Sequence, residues 1–190
     1  MALHDLSDPS VPLTAQLVVD TSLLLALRPR DDNPNAAAAR AFIRRVGEQI
    51  AACELVAWLP LPVLQECYHV ILANGLRRIW EAMDAADRPA NWLKAYKDRP
   101  HLLKACLPEL IRFRELLAAI PLTPARLEDL ATQVMAESLE ERMQHFITGY
   151  HLLPQDALIL AEAERLGVPA VATLDRDWRR VTLFDVYTCP

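Results

Sequence analysis

Gln16-Leu-Val-Val-Asp20-Thr-Ser22 decides the fold of this chain: an apolar run with β-branched residues that ends on an aspartate. Its length and composition predict a short buried strand with Asp20 as its last residue. Thr21, Ser22 and Leu23 to Leu27 then predict a brief helix stopped by Pro29. Beyond it, Asp31-Asp32-Asn33-Pro34 offers a cap and a first-turn proline for a helix to about Ala52. Ala38, Phe42, Val46 and Ile50, spaced by four, make its inward face. Leu55 to Leu59 predicts a second strand, and Pro60 with Pro62 introduces a helix through Leu64, Glu66, Val70 and Ile71.

The pattern changes from Gly75 to about Leu117, where Trp80, Met83, Trp92 and Tyr96 stand among charges and Leu103, Leu107 and Ile111 recur every four residues. Two or three helices, broken near Pro89, Pro100 and Pro108, are expected there. Ala118 to Leu122 then predicts a third strand, and Pro124 a helix through Leu127, Leu130 and Val134. Leu153-Pro-Gln-Asp156 starts another helix, closed by Gly167 and Pro169. Ala170 to Thr173 and Val181 to Tyr187 complete the strands. Strands alternating with helices predict a three-layer α/β/α sandwich around a mostly parallel sheet. The carboxyl ends of its parallel strands then share one edge. The chain is expected to be a single domain over 1–190, with an N-terminal extension at about 1–15 and a helical insertion at about 75–117.

Composition narrows the function. The 190 residues are 53% hydrophobic and 24% charged, enough apolar material to exclude wholesale disorder. The acidic start Met1-Ala-Leu-His-Asp is unlike a signal peptide, and the longest apolar stretch, Leu55 to Leu64, is short and holds two prolines. A cytoplasmic protein without a membrane span is therefore expected. Cys53, Cys67, Cys106 and Cys189 form no C-x-x-C pair, which argues against structural zinc, and Cys53 and Cys67 read as reduced core residues. The four glycines make neither a dinucleotide fingerprint nor a P-loop. A net charge of −5 argues against gripping nucleic acid by bulk charge. It leaves room for local patches, because only Lys94, Lys97 and Lys104 among the 20 cations are lysine.

In open α/β sheets, ligands bind outside the carboxyl ends of the strands. Asp20 ends the first strand, Asp175 and Asp177 follow the Ala170 strand, and Glu66 lies about a turn into the helix after the second strand. Asp156 joins them where its helix starts at the same edge. Each also has an ordinary reading: Asp20 a helix cap, Asp156 a partner of the helix dipole, Glu66 a solvated face, Asp175 and Asp177 a polar turn. Together they carry a stronger implication. Carboxylates ~4 Å apart repel by about 4 kcal/mol per pair at an effective dielectric near 20. A fold that gathers four must raise their pKa values or bind a cation, and an all-oxygen donor set suits Mg²⁺ or Mn²⁺.

Val18-Val-Asp20-Thr-Ser22, Glu66 after a strand, Asp156-Ala-Leu-Ile-Leu-Ala161 and Thr173-Leu-Asp175-Arg-Asp177-Trp178, in this order, resemble the PIN-domain nucleases. The resemblance covers about residues 16 to 74 and 118 to 188. It implies a metal-dependent endoribonuclease using Mg²⁺ or Mn²⁺, and VapC-type toxins, each held by an antitoxin protein, are among its compact members. Carried over by position, Asp20, Glu66, Asp156 and Asp175 are the acidic, catalytic set. Asp20 and Asp175 would hold the principal metal, with Asp156 and the auxiliary acid Asp177 completing the ligands. Ser22 matches the hydroxyl that assists the first aspartate, and Trp178 takes the place of a packing phenylalanine. RNA is the expected partner, with an antitoxin if the chain is VapC-type, and Trp80, Trp92, Tyr96 and Leu103 of the insertion are candidates for a lid, a homodimer face or a groove for a partner segment. Ser22, Arg28, Arg176 and Arg179 are candidates for contacting substrate, joined by Arg30 and Arg180, while Arg40, Arg44 and Arg45 suggest a solvated helix face. A module that keeps the fold but only binds RNA or protein is the alternative.

Overall fold

The structure, a computed structural model, describes residues 2–29, 33–125 and 137–190. Six strands, β1 (Leu3–Asp5), β2 (Gln16–Val19), β3 (Val56–Leu59), β4 (Thr123–Pro124), β5 (Ala170–Ala172) and β6 (Asp185–Thr188), form one sheet in the order β1-β6-β5-β2-β3-β4. Every pairing is parallel. Leu17, Val18 and Val19 point alternately to opposite faces of the sheet, yet all three are 0% exposed. Ala170, Val171 and Ala172 on the adjacent strand are equally buried. Both faces of the sheet centre are therefore covered, as a three-layer α/β/α fold requires.

Seven α-helices lie among the described residues: α1 (Thr21–Ala26), α2 (Ala36–Ala51), α3 (Leu61–Glu81), α4 (Trp92–Asp98), α5 (Leu107–Ala118), α6 (Leu139–Tyr150) and α7 (Pro154–Arg165). Short 3₁₀ helices run over Pro100–Cys106 and Arg176–Arg180. None of the described helices is long and apolar enough to cross a membrane. The chain divides into two compact units, Met1–Leu64 with Ile120–Pro190, and Gln65–Ala119.

Several boundaries differ from expectation, each for a local reason. α2 starts at Ala36 rather than beside Pro34, and its buried side is Ala36, Ala39, Phe42, Ile43 and Val46. Cys53 is exposed, in the left-handed region (φ 60°), just past the end of α2. α3 continues through Gly75 to Glu81 because glycine is needed there for packing, not for a break. A Cβ at Gly75 would stand 2.7 Å from Cys106 Sγ. Ala118 ends α5 and the expected strand over Ala118 to Leu122 is absent, its place in the sheet taken by the two residues Thr123–Pro124 just after it. The last strand begins at Asp185, since the 3₁₀ turn Arg176–Arg180 and the bend after it occupy the preceding residues. The expected cap at Asp31-Asp32, Arg30, and the helix through Leu127, Leu130 and Val134 lie outside the described residues.

Two elements were not anticipated. β1 pairs with β6 as an edge strand, Leu3 beside Val186. α6 begins with a reciprocal capping box, in which Ser138 Oγ accepts from Glu141 N and Glu141 Oε2 accepts from Ser138 N. In the second unit, Tyr68 meets Phe113 edge to face and Arg78 pairs with Glu109. Trp80 Nε1 donates to Pro89 O at 2.8 Å while Arg88 lies over the Trp80 ring. The turns between its helices are thereby pinned to α3.

Candidate active site

The sheet centre delivers Asp20 and Asp175 to the same edge. Val19 stands beside Ala172 in the parallel register, and Asp20 N still donates to Ala172 O at 2.9 Å. Asp20 then turns into α1 as its N-cap, with Ser22 N donating to Oδ2. Two hydroxyls bind that same oxygen: Ser22 Oγ at 2.6 Å and Thr173 Oγ1 at 2.8 Å. Asp20 is 3% exposed, and burial pushes its carboxyl above the usual range although all these donors pull it down. Among the described residues, the groups acting on it are uncharged hydroxyls and amides, with no cation.

The same two hydroxyls also accept from the chain after β5. Ser22 Oγ accepts from Leu174 N at 2.8 Å, and Thr173 Oγ1 from Asp175 N at 3.0 Å. Asp175 caps the 3₁₀ turn, its Oδ1 accepting from Asp177 N at 2.9 Å. The buried Trp178 anchors this turn from below, as a packing residue should. Thr173 has no role assigned by the motif, yet its hydroxyl bonds both the Asp20 carboxylate and the Asp175 backbone. Strand position hid it, because threonine at a strand end also reads as a β-former.

The α7 start reaches this edge through two links. Thr21 Oγ1 contacts Val63 O at 3.5 Å, and Gln155 Nε2 donates to Pro62 O at 2.9 Å. The first turns of α3 and α7 are thus joined next to the end of β2, and the half-buried Asp156 stands in the first turn of α7. Arg180 Nη2 donates to His151 O at 3.1 Å, tying the turn after β5 to the segment that leads into α7. Glu66 lies half-buried in the second turn of α3, within the second compact unit.

The basic candidates separate by what they touch. Arg179 is turned toward the chain end, donating to Cys189 O. Arg180 also pairs with Asp177 at 3.3 Å. Arg176, beside Asp175, is exposed, and Arg28 is half-buried. Arg45 leaves the expected solvated face: its Nη1 donates to Asp8 O and its guanidinium lies over Phe42. Ser22 Oγ donates to Asp20 Oδ2 and accepts from Leu174 N.

Among the described residues, no group of three or more His, Cys, Asp or Glu side chains is gathered as a metal cage. What the edge offers is a donor set for a hard cation bound through few carboxylates. Mg²⁺ is commonly held by one or two, with waters and substrate phosphates filling the other positions. A buried carboxylate with no cation acting on it among the described residues, linked through the Thr173 hydroxyl to the Asp175 backbone, suits such an ion. A family model described as PIN domain matches residues 17–183. No curated protein matches the chain.

Proposed function

The chain belongs to the PIN-domain family, a nuclease-type fold, and from that premise we propose that it is a metal-dependent endoribonuclease using Mg²⁺ or Mn²⁺. The observation that carries this reading is Asp20, a buried carboxylate fixed by Ser22 and Thr173 with no cation acting on it among the described residues. Asp20 and Asp175 would hold the ion, with Asp156 and Asp177 completing the acidic set. The bound ion would supply an activated water and charge neutralisation at the scissile phosphodiester.

The chain's own residues do the positioning. Ser22 and Thr173 direct their protons to Asp20 Oδ2, so that oxygen is saturated and the carboxylate plane is held. The Leu174 and Asp175 amides lock those hydroxyls in turn. The carboxylate therefore needs little reorganisation on binding cation and substrate. Arg176, exposed beside Asp175, would meet a phosphate of the strand.

The test is cleavage of a cellular RNA pool by the purified chain with Mg²⁺ or Mn²⁺, against Asp20→Asn and an EDTA control. Metal-dependent cuts absent from the variant support the nuclease; intact RNA that is nevertheless bound favours the binding module. The toxin role, with its antitoxin partner, rests on the resemblance to VapC-type chains. Growth arrest on expression, relieved by Asp20→Asn, would support it.

A further inference from the structure

One side of α5 is occupied by α3: Cys106 presses on Gly75, Glu109 pairs with Arg78, and Phe113 meets Tyr68 edge to face. The opposite side carries a second stripe, Lys104, Leu107, Ile111, Arg114 and Ala118, all exposed. Their spacing of three, four, three and four keeps them on one face of a helix. Lys104 precedes α5 in the 3₁₀ helix, where residues three apart eclipse, so it too lines up with Leu107. Leu107 and Ile111, 45% and 52% exposed, are therefore neighbours in a seam with a cation at each end. Arg112 and Glu115 flank it.

Charge around this seam runs against the chain as a whole. Over residues 92–114 the acids are Asp98, paired with Lys94 at 3.4 Å, and Glu109, paired with Arg78. Lys97, Arg99, Lys104, Arg112 and Arg114 are all exposed there, in a protein of net charge −5.

We propose that the seam of Leu107 and Ile111 docks an amphipathic helix of a partner protein, one whose apolar stripe is flanked by Asp or Glu. A seam with three-four spacing is the shape that another helix fills, its apolar side chains entering beside Leu107 and Ile111. Acidic groups at the ends of that stripe would meet Lys104 and Arg114, and the local excess of cations would steer them in. So short a seam suits a weak, reversible association. A second copy fits badly. Antiparallel self-pairing that sets Leu107 against Ile111 sets Lys104 against Arg114, and parallel pairing sets each cation against itself. RNA phosphates would meet the cations and leave both apolar side chains uncovered. The seam lies within the second compact unit, and the proposal stands whether or not the chain cleaves RNA.

The experiment titrates the full chain, in EDTA, into three labelled peptides and reads fluorescence anisotropy. The first is a designed, stapled amphipathic helix with leucines in a three-four stripe and glutamates beside it. The second has lysine in place of those glutamates, and the third is a scramble of the first. Wild type should bind the glutamate peptide about ten-fold more tightly than either of the others. Leu107→Ser/Ile111→Ser should weaken that binding about ten-fold. Lys104→Glu/Arg114→Glu should reverse the preference in favour of the lysine peptide, an exchange that misfolding cannot produce. Equal binding of all three peptides by wild type, or a preference that both double variants leave intact, overturns the proposal. A wild-type dimer in sedimentation velocity that Leu107→Ser/Ile111→Ser dissociates overturns it in favour of a second copy. Poly(U) binding lost in Lys104→Glu/Arg114→Glu and kept in the serine variant, with no preference among the peptides, overturns it in favour of RNA.

Discussion

Thr173 Oγ1 donates to Asp20 Oδ2 at 2.8 Å while accepting from Asp175 N at 3.0 Å, so one buried hydroxyl spans the two strand ends that carry the acids. Neighbouring parallel strands make this possible, because β2 and β5 end side by side at the same height in the sheet. Thr173→Val keeps the shape and deletes the bridge. It should lose about 1.5–3 kcal/mol of stability, the range for a hydrogen bond to a charged group. RNA cleavage should fall roughly ten-fold or more, as Asp20 loses a fixed donor. Thr173→Ser should retain most of both. Urea unfolding and initial cleavage rates check this, and a Val variant equal to wild type would refute it.

Asp20→Asn should stabilise the metal-free chain at neutral pH. Burial raises the folded-state pKa of Asp20 above its unfolded value. The associated stability is fully present below the unfolded pKa and is lost as pH rises through the folded one. The melting temperature of Asp20→Asn relative to wild type, in EDTA, should therefore increase from about pH 4 toward pH 7. Added Mn²⁺ should reverse the order, raising wild type much more than the variant. Equal Mn²⁺ shifts in the two proteins would count against Asp20 as a ligand.

Gly75→Ala should destabilise, against the rule that alanine in a helix gains about 1 kcal/mol over glycine. The added Cβ would stand 2.7 Å from Cys106 Sγ and 3.3 Å from its Cβ, too near the backbone for the short side chain to swing away. A loss of about 1–3 kcal/mol is expected. Gly75→Ala/Cys106→Ala should recover part of it, a coupling that a double-mutant cycle in urea measures directly. Additive losses would show that the contact is not the cause.

The same glycine marks where local patterning stops being informative. Gln16–Asp20 was legible because a strand buried on both faces must be apolar throughout, and Asp20 interrupts that run at the edge. α7 was legible from Pro154 at its start and Gly167 beyond its end, where φ is +68°. Gly75 reads as punctuation unless Cys106, 31 residues later in the sequence, is known to press on it. β1 depends wholly on pairing with β6 at the far end of the chain, and three residues carry no period of their own. α6, not anticipated, did carry a local signal in its Ser138-x-x-Glu141 capping box. The acids on the sheet's axis were named from their strands, whereas the Thr173 bridge arises only when two strands distant in sequence lie side by side.

Glu162 supplies a pH dependence separate from the acidic edge. It is 8% exposed in α7, its Oε2 has no hydrogen-bond partner among the described residues, and burial pushes its carboxyl up to about 7 against the pull of Arg165. Because the folded pKa is raised, Glu162 contributes stability that is complete below about pH 4 and disappears as pH rises through about 7. Wild type should therefore lose stability between pH 5 and pH 8. Glu162→Gln, neutral throughout, should lose less and be the more stable protein at pH 8 by about 1–3 kcal/mol. At pH 4 the two should converge, since the wild-type carboxyl is then protonated in the folded state. Melting curves followed by circular dichroism in EDTA across this range isolate the effect from metal binding. Parallel pH profiles for the two proteins would place the titrating group elsewhere.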